Sequence, residues 1–191
     1  IVKPGDTIVD FGCGQGHLGL LCCFLFPTCR VICADNNAYK LNMIAEKMKA
    51  LETETSPAAR SMTHRVTTMI DMNETDCLAF DVGVGLHCCG PLTDAVIDKC
   101  VAMNASVCIS PCCYGKIAPA VEQRQFDNVT DEAVDVWKSV AKGADFGAGP
   151  AHSFDPSDAK FRRAKECMEW IDGGLRTNRL KRLGYKVTVH S

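Results

Sequence analysis

The stretch Asp10-Phe11-Gly12-Cys13-Gly14-Gln15-Gly16-His17-Leu18-Gly19 closes one apolar run and opens another. Glycines at a strand-to-helix turn let the backbone approach a ligand, and the helix that follows offers N–H donors at its N-terminus. The pattern Gly14-x-Gly16-x-x-Gly19 fits a dinucleotide-binding loop, with Asp35 at about the expected distance to accept hydrogen bonds from a ribose. Asp10 points elsewhere. A carboxylate at the strand end repels a pyrophosphate but suits a ligand that carries ammonium and sulfonium charges. Asp71, at the end of a later apolar run, is placed to meet an adenine amino group.

A second group of reactive side chains lies in two later segments, Leu86-His87-Cys88-Cys89-Gly90-Pro91-Leu92-Thr93-Asp94 and Ser110-Pro111-Cys112-Cys113-Tyr114-Gly115. In an open parallel sheet, ligands sit outside the carboxyl ends of the strands, so both segments are expected at the crevice of the glycine loop. Zinc would need about four converging N or S ligands. Adjacent cysteines on a strand point to opposite faces, so each pair is expected to supply one ligand at most, and no metal is assigned. A nucleophilic Cys–His pair is a further, weaker alternative. His87 is the best-placed base for an acceptor that must lose a proton. Asp94 either orients an acceptor or charges the start of a helix. Tyr114 either stacks on a planar acceptor or closes over the cofactor.

These groups need a scaffold of strands and helices. Apolar, β-branched runs at 6–11, 30–35, 66–71, 80–89 and 106–110 alternate with helical patterns at 17–26, 38–52 and 92–103. That rhythm predicts a Rossmann-like, doubly wound α/β fold with a mostly parallel sheet. Beyond Pro111 it breaks. Residues 116–153 read as a lid or insertion, with a helix over 131–142. A long basic helix spans 157–183, broken at Gly173-Gly174, and 185–190 reads as a last strand. With no linker or repeat, residues 1–191 read as a single domain, and the start at Ile1 suggests excision from a longer protein.

At 47% hydrophobic and 23% charged, the 191 residues can bury a core. The 13 cysteines lie largely in apolar runs, as small buried hydrophobes do, and read as reduced thiols of a cytoplasmic or nuclear protein. The longest apolar run is far too short to span a bilayer. The net charge of −2 gives no overall reason to bind a polyanion, and there is no DNA signal. The charge is uneven, however. From Asp158 onward, nine basic residues (Lys160, Arg162, Arg163, Lys165, Arg176, Arg179, Lys181, Arg182, Lys186) face four acidic ones, so the segment 160–186 is a candidate RNA-facing patch.

Asp10-x-Gly12-x-Gly14-x-Gly16 resembles motif I of class I S-adenosylmethionine (SAM) methyltransferases. The two thiol-rich segments resemble a particular branch of that family, the methyltransferase-like domains of glutathione S-transferase C-terminal domain-containing proteins. In those the corresponding motifs are His-x-Cys-Gly-x-x-Thr-Asp and Cys-Pro-Cys-Cys-Tyr-Gly, with a later Lys-x-Cys-Met matching Lys165-Glu166-Cys167-Met168. The tRNA acceptor-stem 2′-O-methyltransferases are similar at greater distance. The resemblance implies SAM as cofactor, held by Asp10, Gly12, Gly14, Gly16, His17, Asp35, Asn36, Asp71, Met72 and His87. It also implies a seven-stranded sheet, of which the final antiparallel strand is missing here. The expected activity is methyl transfer, with RNA favoured over protein or a small molecule as acceptor. A catalytically idle SAM-binding or scaffolding domain is the alternative, and a nucleotide-dependent oxidoreductase a third reading.

Overall fold

The computed structural model describes residues 1–71, 78–122, 126, 129–145 and 157–190. Five strands, β1 (Thr7–Phe11), β2 (Arg30–Ala34), β3 (Val66–Met69), β4 (Val82–Cys89) and β5 (Ser106–Cys112), form one sheet in the order β3-β2-β1-β4-β5. β1 pairs in parallel with both β2 and β4, and β2 pairs in parallel with β3. Helices α1 (His17–Leu25), α2 (Ala38–Glu52), α3 (Pro57–Met62) and α4 (Pro91–Ala102) fill the connections. This is the expected doubly wound α/β architecture, and its order reverses at β1, where the glycine loop emerges.

The central strands are apolar on both sides because both sides are covered. Ile8, Val31, Cys33, Val82 and Val84 pack with Cys22 and Cys23 of α1 and with Leu41 and Ile44 of α2. The alternate residues Val9, Phe11 and Ala34 pack with Val96 and Cys100 of α4. Gly83 makes room on this second side, since a Cβ there would lie 2.3 Å from the Cys100 sulfur and 3.2 Å from the Phe11 ring. Arg65 ties α1 to β3 by donating to the carbonyls of Cys23 and Phe26 at the carboxyl end of α1 and of Cys29 in the turn that follows. The sequence reading missed α3, although its Ser56 cap followed by Pro57 is a helix-start signal.

The chain divides into two compact units, Ile1–Cys88 with Leu92–Pro111, and Cys89–Pro91 with Cys112–Ser191. The second contains α5 (Ala118–Glu122), α6 (Val134–Ala144), α7 (Ala159–Trp170) and α8 (Asn178–Arg182). Residues read as a lid or insertion therefore carry helices with a core of their own, in which Ile117, Val121, Phe126 and Ala141 meet Ile171 and Leu175. Two expectations are corrected. Gly173-Gly174 does not break the basic helix: Ile171–Thr177 continues it as a π-helix, and Gly174 lets the Trp137 ring approach to 3.0 Å of where a Cβ would stand. Residues 185–190 are not a strand. Alternation alone cannot make one without a neighbour to accept the ladder, and Val189 is exposed.

Candidate functional site

The glycine loop is held by its own surroundings. Gly12, Gly14 and Gly16 all have positive φ (65°, 56° and 77°), a conformation that L side chains rarely adopt. A Cβ on Gly12 would meet Leu92 at 2.9 Å, and one on Gly16 would meet Ile44 at 2.7 Å, whereas Gly14 has nothing within 4 Å. The loop is thus packed at both ends and open in the middle.

Four of its N–H groups have acceptors within the protein. Cys13 N–H donates to the Ala34 carbonyl (3.1 Å) and Gly16 N–H to the Cys13 carbonyl (2.8 Å). Gly14 N–H donates to Asp35 Oδ2 and Gly19 N–H to Asp10 Oδ2, each at 2.8 Å. Gly19 is therefore a packing glycine. A Cβ there would stand 2.6 Å from the Cys33 sulfur and 3.1 Å from the Asp10 carboxylate.

Asp10 is only 1% exposed, on the same side of β1 as Ile8, and so points at α1. Burial is the chief reason that its pKa is pushed up to about 7; the Gly19 N–H opposes the rise and the negative Asp35 adds to it. Expected as a ligand contact, Asp10 instead accepts from Gly19 N–H in the first turn of α1. Asp35 is half-buried and spends one oxygen on Gly14 N–H and the other on Asn37 N–H (2.9 Å). A carboxylate has about four acceptor sites, so among the described residues about two remain for a ligand. The β2 and β3 ends are joined by Asp35 N–H donating to Met69 O (3.1 Å), which brings the start of the Asp71 segment beside them. Asp71 is half-buried and Asn36 exposed; Met72 lies outside the described residues. His17 is exposed at the first turn of α1, 3.5 Å from Lys47 Nζ, which donates to the Gln15 carbonyl.

At the end of β4 the chain departs from strand geometry. His87 has φ 58°, left-handed for a non-glycine residue, which costs about 1–2 kcal/mol. The twist shifts the alternation, leaving His87 exposed while Cys88 turns into the core against Gly85. Strain of this kind at a strand end is a reason to look for function there. Asp94 is half-buried in the first turn of α4, while the neighbouring Thr93 hydroxyl donates to the Cys88 carbonyl (2.6 Å).

The second unit carries the thiols of Cys89, Cys112 and Cys113, and Tyr114. The expectation that adjacent cysteines must diverge fails at Cys112-Cys113. Cys113 is left-handed (φ 53°), and its sulfur comes back to 3.5 Å from Cys89, itself 3.1 Å from the Cys112 sulfur. Tyr114 is 7% exposed. Its hydroxyl donates to Asp172 Oδ2 (2.7 Å), the other Asp172 oxygen accepts from Arg176 (2.9 Å), and the guanidinium lies 5.6 Å from the ring centroid. Burial and the Asp172 carboxylate raise the phenol pKa above its ordinary value. The ring, read as stacking on an acceptor or closing over the cofactor, is thus built into a Tyr–Asp–Arg cluster whose tyrosine and arginine are buried. Sequence reading could not find that cluster, because its members are not neighbours in the chain.

Comparisons with known proteins bear on the same residues. A family model described as "Methyltransferase domain" matches residues 2–120. The glutathione S-transferase C-terminal domain-containing protein of Xenopus laevis is 37% identical over 122 residues, 64% of this chain and 18% of that protein. The Drosophila melanogaster homolog is 28% identical over 200 residues, covering 99% of this chain and 31% of its own. The chain thus spans under a third of the length of these relatives. Among solved structures, a putative sarcosine dimethylglycine methyltransferase from Galdieria sulphuraria has a TM-score of 0.46 at 11% identity, covering 90% of this chain and 74% of its own. M. capricolum TrmK in complex with S-adenosyl-homocysteine has 0.44 at 9%, covering 90% and 93%. These two likenesses are too loose to bear on function. The family model, which covers most of the chain including the whole glycine loop and both thiol-rich strand ends, places the protein in the methyltransferase domain family.

Proposed function

We propose that this methyltransferase domain binds SAM at the glycine loop and transfers its methyl group to an RNA acceptor. The observation that carries the cofactor assignment is the state of the loop's donors. A dinucleotide loop keeps backbone N–H groups for the pyrophosphate, whereas here Gly14 and Gly19 give theirs to two carboxylates. With two donors given to side chains and the Asp35 carboxylate beside it, the loop is a poor phosphate cradle and a good neighbour for a cationic ligand. The open space at Gly14 and the spare acceptor capacity of Asp35 fit the amino-acid and ribose portions of SAM. Gly12, Gly16, His17, Asn36, Asp71 and Met72 complete the proposed cofactor set, with Asp10 acting through the backbone it holds.

When bound, SAM supplies an electrophilic methyl on a sulfonium centre. The chain's own part is to hold the cofactor, align the acceptor and exclude water. His87, exposed on a strained strand end, is assigned as the base that takes the acceptor's proton, and Asp94 as the group that orients the acceptor. The buried Tyr114 supports the second unit rather than touching the acceptor.

RNA is favoured by the basic segment. Arg176 is committed to Asp172, but Lys160, Arg162, Arg163, Lys165, Lys181, Arg182 and Lys186 are exposed. Labelled methyl transfer from SAM into total RNA and into total protein tests this. Label in RNA is the expected outcome; label in protein alone contradicts the acceptor, and none from either favours the idle SAM-binding domain. In active protein, His87→Ala is expected to lower turnover about 100-fold or more, as loss of a positioned general base does. Unchanged turnover removes His87 from the mechanism.

A further inference from the structure

We propose that Cys89, Cys112 and Cys113 form a mononuclear site for a zinc-like d10 cation, supplying three thiolates and leaving the fourth position to solvent. All three sulfurs lie within 4.8 Å of one another, and all three side chains are half-buried. Two tetrahedral Zn–S bonds of about 2.3 Å put their sulfurs about 3.8 Å apart. The observed 3.1 and 3.5 Å separations around Cys89 lie near that spacing, so small side-chain adjustments would admit an ion.

The backbone around the trio is shaped to bring it together. Gly90 is left-handed (φ 53°), and a Cβ there would stand 2.5 Å from the Lys116 Cβ, so only glycine allows the 112–116 segment this close. Gly90 N–H donates to the Cys112 carbonyl (2.9 Å), and Lys116 N–H donates to the Cys113 carbonyl (3.1 Å). The left-handed Cys113 then supplies the ligand that a regular strand would have turned away. Several other thiols of the chain, Cys22, Cys23, Cys29, Cys33, Cys88 and Cys100, are buried within the first unit, which is what cysteine does as a small hydrophobe.

The chemistry selects the ion class. Thiolates favour zinc and Cu(I) over hard oxygen-seeking cations. Binding releases the thiol protons to solvent and involves no change of oxidation state. Three thiolates and one divalent ion leave a single negative charge. A disulfide between Cys89 and Cys112 is the competing use of these sulfurs, but it leaves Cys113 without a role.

Cobalt titration of the reduced, metal-free chain tests the site without reference to methyl transfer. The expected result is one equivalent bound, with near-ultraviolet sulfur-to-cobalt charge transfer of three-thiolate intensity, displaced by zinc. Cys113→Ser should lose this signal, and Cys108→Ser, outside the trio, should keep it. Because a variant can misfold, thiol alkylation of the unaltered chain with and without zinc provides a second reading, in which zinc should protect Cys89, Cys112 and Cys113 together. No stoichiometric binding, no joint protection, or a Cys89–Cys112 disulfide in protein isolated without added oxidant overturns the proposal.

Discussion

Asp10→Asn is expected to become progressively more stable relative to the unaltered chain as pH rises from about 4 to about 7, by on the order of 4 kcal/mol across that window. In the fold, burial raises the Asp10 pKa from 3.8 to about 7. Between those values the folded chain holds a proton that the unfolded chain has released. Its stabilising contribution is therefore complete below pH 3.8 and is lost as pH rises through about 7. Asparagine cannot ionise, yet its side-chain oxygen can still accept from Gly19 N–H. The variant thus keeps the hydrogen bond that joins β1 to α1 while removing the pH-dependent term. Urea unfolding of both proteins over a pH series measures the difference. Parallel stability profiles would show that Asp10 is not held in the buried, hydrogen-bonded position described.

Much of this was open to sequence reasoning, for identifiable reasons. The 38–52 helix shows itself through Leu41, Ile44, Met48 and Leu51, because a helix with one buried face must repeat near 3.6 residues. The buried strands show themselves because a sheet covered on both sides permits few polar residues. Asp10, Asp35 and the glycines were visible as a group, since they lie at or near successive strand ends. Which groups they touch was not. The carboxylate of Asp10 turns to Gly19 because it shares a side of β1 with Ile8, a matter of three-dimensional packing. The thiol trio escaped because strand alternation was applied through Cys113, and a single left-handed residue reverses that alternation. Residues 185–190 misled in the opposite way: they have the pattern of a strand but pair with no strand among the described residues. The Tyr114–Asp172 bond joins residues 58 positions apart, beyond the reach of any local pattern.

The second large effect is expected at Asp35. Removing this carboxylate takes away the acceptor for Gly14 N–H and the one for Asn37 N–H, together with the proposed ribose contact. Hydrogen bonds to a charged group contribute about 1.5–3 kcal/mol each. Losing the ribose contact and the ordered loop together should therefore cost about 3–4 kcal/mol of cofactor binding, roughly a 100- to 1,000-fold loss of SAM affinity. Asp35→Asn should lose less, because the amide oxygen can still accept from Gly14 N–H and only the charge is gone. Binding titrations of the alanine and asparagine variants, alongside a check of folding, measure both effects. If both variants bind SAM like the unaltered chain, the cofactor does not sit against Asp35.

Isothermal titration of the chain with SAM, S-adenosylhomocysteine and NAD reaches the central claim most directly. An acidic glycine loop whose Gly14 and Gly19 donors are held by Asp35 and Asp10 should bind one equivalent of SAM, and of S-adenosylhomocysteine, while giving no saturable heat with NAD. Saturable binding of NAD with none of SAM would contradict the account.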